Sequence, residues 1–350
     1  MRKKDSKYSA WLKRYQIRKG KRNTVRKSRK FAGEFSTTSN QTVKKQKGKG
    51  KKNEYKVQAP SNFSIIENAQ EVIPFFDDIL KFTNRTKDRT KIFFDMSNVI
   101  NISADAIIYL IAIIKDLQSL GQGRHNFAGN LPTEKRCAEY IRQSGFFKYM
   151  ESTAAVVPTT ESKQIRIISK STYDQEDTTK KICDFVCSIA NCDKTKTKYL
   201  FVLLGEMMLN TVQHAYNDNK RLNNWYVSAQ SVGDKILFTF LDTGLGIPKT
   251  VRTRFTEKIF PNESAIVESA LKGVFRTRTK KGYRGKGLPK MAECVKNNSL
   301  EKLFVISSRA YCELKYSNSK MIIDKKEQSR PIAGTVYYWE MDIKKEIKYD

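Results

Sequence analysis

The sequence predicts an α/β protein, with two α/β units behind a basic, mostly disordered arm. Three observations predict it. Composition changes sharply near residue 58. Beyond that point, short apolar and aromatic runs alternate with longer stretches of helical period. Finally, the length of 350 residues suits two domains of ordinary size.

The arm comes first, over residues 1–58. Its stretch KKQKGKGKKNEYK, residues 44–56, cannot bury enough apolar surface to offset its chain entropy. Residues 1–56 hold 21 Lys or Arg against 3 acids, more than half of the chain's net charge of +30. Tyr8, Trp11, Leu12 and Tyr15 fall at i, i+3, i+4 and i+7, one face of a short helix whose other side is basic. Such a face suits a polyanion or a membrane surface, and a transient helix in a solvated arm explains it equally.

The first unit is expected over residues 62–155. IPFFDDILKF, residues 73–82, reads as a helix, and KIFFDMSNV, residues 91–99, as a buried strand. Residues 103–121 read as a helix with Ser103 as N-cap and Gly121 at its end. RHNFAGN, residues 124–130, is a short strand, and residues 132–146 form a helix with Pro132 near its first turn.

The second unit is expected over residues 163–345. KQIRIIS, residues 163–169, is a strand, residues 177–190 a helix, and a long helix surrounds Glu206. NWYVSAQ and KILFTFLDTG alternate as paired strands around the turn SVGD, residues 231–234. LPKMAECVKNN, residues 288–298, is a helix. Residues 300–308, 311–317, 320–324 and 334–343 are four late strands. No internal repeat is visible.

Several function classes fall away. The six cysteines form no C-x-x-C pair, and with two histidines no usual zinc set appears. No apolar run reaches the ~18 residues of a membrane span, and the N-terminus lacks the apolar core of a secretory signal. A reducing cytoplasm is the expected compartment. G-x-x-x-x-G-K-[ST] is absent, which excludes a P-loop enzyme.

Three stretches carry chemistry. In LLGEMMLNTVQHAY, residues 203–216, Glu206, Asn210 and His214 recur every four positions and form one polar stripe on an otherwise apolar helix. A buried carboxylate costs several kcal/mol unless compensated. Mg²⁺ with an ordered water would compensate it, the amide oxygen of Asn210 being a hard ligand. A stripe that simply meets solvent is the plainer explanation of this pair alone. In FLDTGLGIP, residues 240–248, Asp242 ends an apolar strand, and Gly244 and Gly246 permit close approach of backbone to a ligand. In KKGYRGKGLPKM, residues 280–291, Gly285 and Gly287 precede a helix among Lys280, Lys281, Arg284 and Lys286, the makings of a phosphate site.

The three boxes in this order make a composite more specific than any one of them. Over residues 163–345 it resembles the GHKL ATPases: gyrase B, MutL, histidine kinases and anti-sigma-factor serine kinases. AGTVYYW, residues 333–339, adds the family's closing Gly-Thr strand. The resemblance implies a Bergerat-type α/β sandwich that binds ATP with Mg²⁺. Asn210 would ligate the metal, and Glu206 would be the general base. Asp242 would bind the adenine amino group, Gly244 and Gly246 would line its pocket, and Thr335 would reach the adenine through water. Arg284, Gly285, Lys286 and Gly287 would hold the phosphates. Residues 248–284 would form a lid, with Arg276, Arg278, Lys280 or Arg284 near the γ-phosphate. Histidine autophosphorylation is not expected, because the other histidine, His125, lies in the first unit's strand.

The strand–helix–strand–helix order of residues 62–155 resembles a STAS domain, the fold of anti-sigma-factor antagonists. Where that family places its acceptor serine, this chain has Asp105, a standing charge in place of a switchable phosphate. Ser103 as cap and Asp105 favouring the helix dipole explain the same residues without any switch. The resulting expectation is a cytoplasmic regulator that binds Mg-ATP and either hydrolyses it or phosphorylates a protein partner at Ser or Thr. A homodimer is compatible with it. The alternative is a nucleic-acid-associated protein acting through residues 1–57, its ATP site a sensor or vestige. Contact with about five to ten phosphates would then give a salt slope of about −0.9 per phosphate.

Overall fold

The computed structural model describes residues 53–86, 89–120, 125–149, 164–167, 175–193, 197–214, 224–251, 260, 262–274, 287–297 and 300–344. The fold is mixed α/β. Residues 1–52 lie outside the described residues, and so does the aromatic face at Tyr8 to Tyr15.

In the first unit, β1 (Asn53–Gln58), β3 (Thr90–Asp95) and β5 (His125–Gly129) form a parallel sheet in the order β1-β3-β5. A parallel sheet needs crossover helices, and the long apolar runs supply them. These are α1 (Ala69–Arg85) and α2 (Ala104–Leu120). The short strands β2 (Asn62–Phe63) and β4 (Asn101–Ile102) pair separately. Residues 53–58, expected in the arm, are a strand instead. Alternation explains it: Tyr55 and Val57 pack against the first unit's core, and the Tyr55 ring stacks on Phe82 of α1 at 3.9 Å.

α3 (Lys135–Gln143) starts at Glu134, whose carboxylate accepts from the backbone N–H of Cys137 at 2.7 Å. Pro132 therefore precedes the helix and does not sit in its first turn. The one-turn α4 (Phe146–Tyr149) follows.

The second unit is built on an antiparallel sheet in the order β6-β7-β8-β10-β9. Its strands are β6 (Gln164–Ile167), β7 (Trp225–Val232), β8 (Lys235–Asp242), β9 (Lys302–Ser317) and β10 (Lys320–Asp342). Gly233, at φ +58°, makes the β7–β8 turn in the expected SVGD stretch. The four late strands expected from the sequence are two long ones. β9 and β10 form a single hairpin whose turn residues, Asn318 and Ser319, both have positive φ, as a type I′ turn requires.

The inner face of this sheet packs on α5 (Gln175–Ala190), α6 (Lys198–His214), α8 (Glu263–Leu271) and α9 (Gly287–Lys296). Phe238 and Trp339 stack across β8 and β10 at 5.0 Å in the middle of that core. The outer face is covered too. Tyr226, Leu241, Ile306 and Val336 join the core that α1 and α2 build in the first unit. Strict alternation therefore buries both faces, and the two expected units share one apolar interface.

Candidate functional site

α6 is apolar on most sides. Leu203, Leu204, Met207, Met208 and Thr211 are buried, whereas Glu206 and Asn210 are half-buried on one stripe. The first residue of α9 lies against that stripe. A Cβ on Gly287 would stand 2.7 Å from Asn210 Nδ2 and 3.5 Å from Glu206 Oε2, so only glycine fits without a shift. One turn further, Lys290 Nζ donates to Glu206 Oε1 at 2.7 Å. The structure thus brings Glu206, Asn210 and Gly287 together. Arg284, Gly285 and Lys286 lie outside the described residues, as do Arg276, Arg278, Lys280 and the side chain of His214.

A second group forms at one end of the sheet. Trp225, Asp242, Thr335 and Ser307 stand opposite one another across β7, β8, β10 and β9. Their side chains share the inner face, one row above the apolar row Val227, Phe240, Tyr337 and Val305. Asp242 is buried, and its Oδ1 accepts from the backbone N–H of Gly244 at 2.8 Å. Burial pushes its carboxyl up to about 7, with the Asp116 carboxylate adding to the rise and the Gly244 N–H opposing it. Among the described residues no cation pairs with it, and the buried Trp225 Nε1 opposite has no hydrogen-bond partner.

Ser307 knits the row to the glycine turn. Its Oγ accepts from the backbone N–H of Ile247 at 2.8 Å, donates to Gly334 O at 3.2 Å and lies 3.0 Å from Thr335 Oγ1. Gly246 and Gly334 both have positive φ, +81° and +84°. A Cβ on Gly334 would fall 1.9 Å from Asp242 O, so β8 and β10 close to a distance that tolerates no side chain. Asp242, Gly246 and Thr335 therefore lie together at this end of the sheet. Sequence reading missed Lys290 and Ser307. A lysine one turn into a helix and a serine ending a strand carry no signal until their neighbours are known.

The segment expected as a lid is partly a packed helix. α7 (Ile247–Val251) leaves the glycine turn, and α8 buries Val267, Ala270 and Leu271 in the inner core. Asn262 caps α8 by accepting from the N–H of Ala265 at 2.9 Å, and Glu268 pairs with Lys272 and Lys325. Residues 252–259 and 275–286 lie outside the described residues.

Asp105 sits at the start of α2, where helix N-terminal polarity places it. It is buried, and Ser103 Oγ donates to it. It also accepts from the backbone N–H groups of Ile66 at 2.9 Å and Ala106 at 2.7 Å. Burial is the main reason its carboxyl is pushed up to about 6. The side chain ties the start of α2 to the segment before α1.

No family model matches this chain, and no curated protein matches it. Among the described residues, no cluster of three or more His, Cys, Asp or Glu side chains could hold a metal ion. A metal here would depend on Asn210 together with oxygens of its own ligand. Among those residues, too, no helix is long and apolar enough to cross a membrane.

Proposed function

We propose that this chain is an Mg-ATP-binding regulatory protein of the GHKL type with a STAS-like unit fused in front. It hydrolyses ATP or transfers its γ-phosphoryl group to a Ser or Thr of a protein partner. One observation carries the reading: the glycine that opens α9 is pressed onto the Glu206–Asn210 stripe of α6. A helix N-terminus is a ready anion site, and this one lies beside a carboxylate and an amide that suit a hydrated magnesium ion.

The residues fit the group. The amide oxygen of Asn210 is a hard donor, and the absence of a Cβ at 287 lets the start of α9 press directly onto Asn210 and Glu206. Asp242 is a buried acceptor beside an orphaned Trp225 Nε1, two polar groups that a flat polar base would satisfy. When bound, the magnesium ion would supply charge neutralisation across the phosphates. Glu206 would hold the attacking water or hydroxyl at its carboxylate and take its proton, and Lys290 would fix the orientation of that carboxylate. Asp242 would accept a hydrogen bond from the base, and Thr335 would fix the edge of its pocket. The close approach of Gly334 to Asp242 would keep water out behind it.

Calorimetric titration with Mg-ATP tests this reading. Asp242→Asn should abolish binding, whereas Glu206→Ala should still bind but lose phosphate release or transfer. Two variants indistinguishable from the parent would overturn it.

A further inference from the structure

Beyond this reading, and resting on it, we infer that Tyr109 and Asp116 of α2 are positioning residues for the base-binding end of the site. Through them the docked first unit sets the affinity of the second for adenine nucleotides.

The two side chains stand seven residues apart, two helical turns, on the face of α2 that meets the outer side of the sheet. Between them they hold three strands of that row at their ends, Tyr109 holding β10 and Asp116 holding β7 and β8. The Tyr109 hydroxyl donates to Ala333 O at 2.9 Å and accepts from Ala333 N at 3.0 Å. Ala333 lies where the β9–β10 pairing is irregular, between Ile332 and Thr335. Its backbone groups there take a side-chain partner in place of a ladder one. The next residue is Gly334, whose backbone abuts Asp242 O.

Two turns along, Asp116 gathers three donors among the described residues. Asn224 Nδ2 donates to it at 3.0 Å and the Tyr226 hydroxyl at 3.2 Å. The Thr243 hydroxyl donates to its other oxygen. Thr243 directly follows Asp242, and Asn224 directly precedes Trp225. The polar row at the sheet end thus has Asp116 holding its neighbours from the opposite face. The surrounding interface is apolar, from Tyr226, Leu241, Ile306 and Val336, and apolar contact alone would permit small slips. Directional bonds at these strand ends fix the register, and a change in how α2 sits would move Thr243 and Ala333 together.

The experiment uses the full chain with Tyr109→Phe and Asp116→Asn, substitutions that preserve shape. Amide hydrogen exchange should quicken in residues 242–247 and 333–335. Affinities for Mg-ATP, Mg-ADP and adenosine should all weaken by the same factor, about tenfold, because the disturbed end is the one all three ligands share. A loss confined to the phosphate end would spare adenosine. General destabilisation would quicken exchange throughout the sheet, including the middle of β8, and would refute local positioning. Unchanged exchange with unchanged affinities would also overturn the inference. A parent chain that binds none of the three ligands would overturn the ATP reading and the affinity claim with it. The exchange measurement would then still decide whether α2 holds this turn.

Discussion

Lys290 Nζ lies 2.7 Å from Glu206 Oε1 and joins α9 to the polar stripe of α6. The pair is partly exposed, so its contribution to stability is small, about 0–1 kcal/mol. Its weight falls on orientation. Lys290→Met should leave thermal stability nearly unchanged and Mg-ATP affinity within about threefold. Turnover should drop by about tenfold as Glu206 loses its fixed rotamer. Stopped-time assays of released or transferred phosphate at saturating ATP would show this. Undiminished turnover would remove Lys290 from the chemistry.

Gly287 tests the packing of the two helices. The alanine methyl group would stand 2.7 Å from Asn210 Nδ2 and push the amide aside. Gly287→Ala should weaken Mg-ATP binding by about tenfold or more while adenosine binding hardly changes. Equal losses for both ligands would place the defect elsewhere.

Gly334 is a matter of stability first. Its φ of +84° and the 1.9 Å approach of a built Cβ to a backbone oxygen leave alanine no place without parting β8 from β10. Gly334→Ala should cost on the order of 3 kcal/mol or more in chemical denaturation. A cost below ~1 kcal/mol would show that the strands separate easily there.

Asp105 should imprint a pH dependence on folding. Its folded pKa of about 6 lies above the ordinary 3.8, so the native state holds its proton to higher pH than the unfolded chain. The sign follows: relative stability is fully present below about pH 4 and declines as pH rises to about 6. Asp105→Asn keeps an acceptor for the Ile66 N–H and removes the titration. The stability difference, variant minus parent, should therefore grow by on the order of 2–3 kcal/mol between pH 4 and 6. Asp95, which Lys56, Ser97 and Asn130 hold well below the usual carboxylate range, is common to both proteins and cancels. A flat difference would mean that Asp105 is solvated.

Much of this architecture is legible in the residues. The alternation of NWYVSAQ and KILFTFLDTG predicts the paired strands β7 and β8, and the four-residue spacing of Glu206 and Asn210 predicts one stripe. The length of β9 and β10 is not legible. Arg309 and the stretch KKEQSRPIA, residues 325–333, look like loop, yet each strand of the hairpin stabilises the other past the sheet edge. β1 hides in a lysine-rich run because Tyr55 and Val57 show their value only once α1 is beside them. The same holds at the site. Motif spacing singles out Asp242, Gly246, Gly287 and Thr335, whereas Lys290, Ser307, Tyr109 and Asp116 act through neighbours distant in the chain.

The doubly covered five-stranded sheet limits how this chain can be taken apart. Severing it between residues 149 and 164 would strand Tyr226, Leu241, Ile306 and Val336 on a bare greasy slab. The C-terminal half is thus no portable cassette. Its partner in water exclusion is its own N-terminal half, and substitutions on either side of that seam must be compensated on the other.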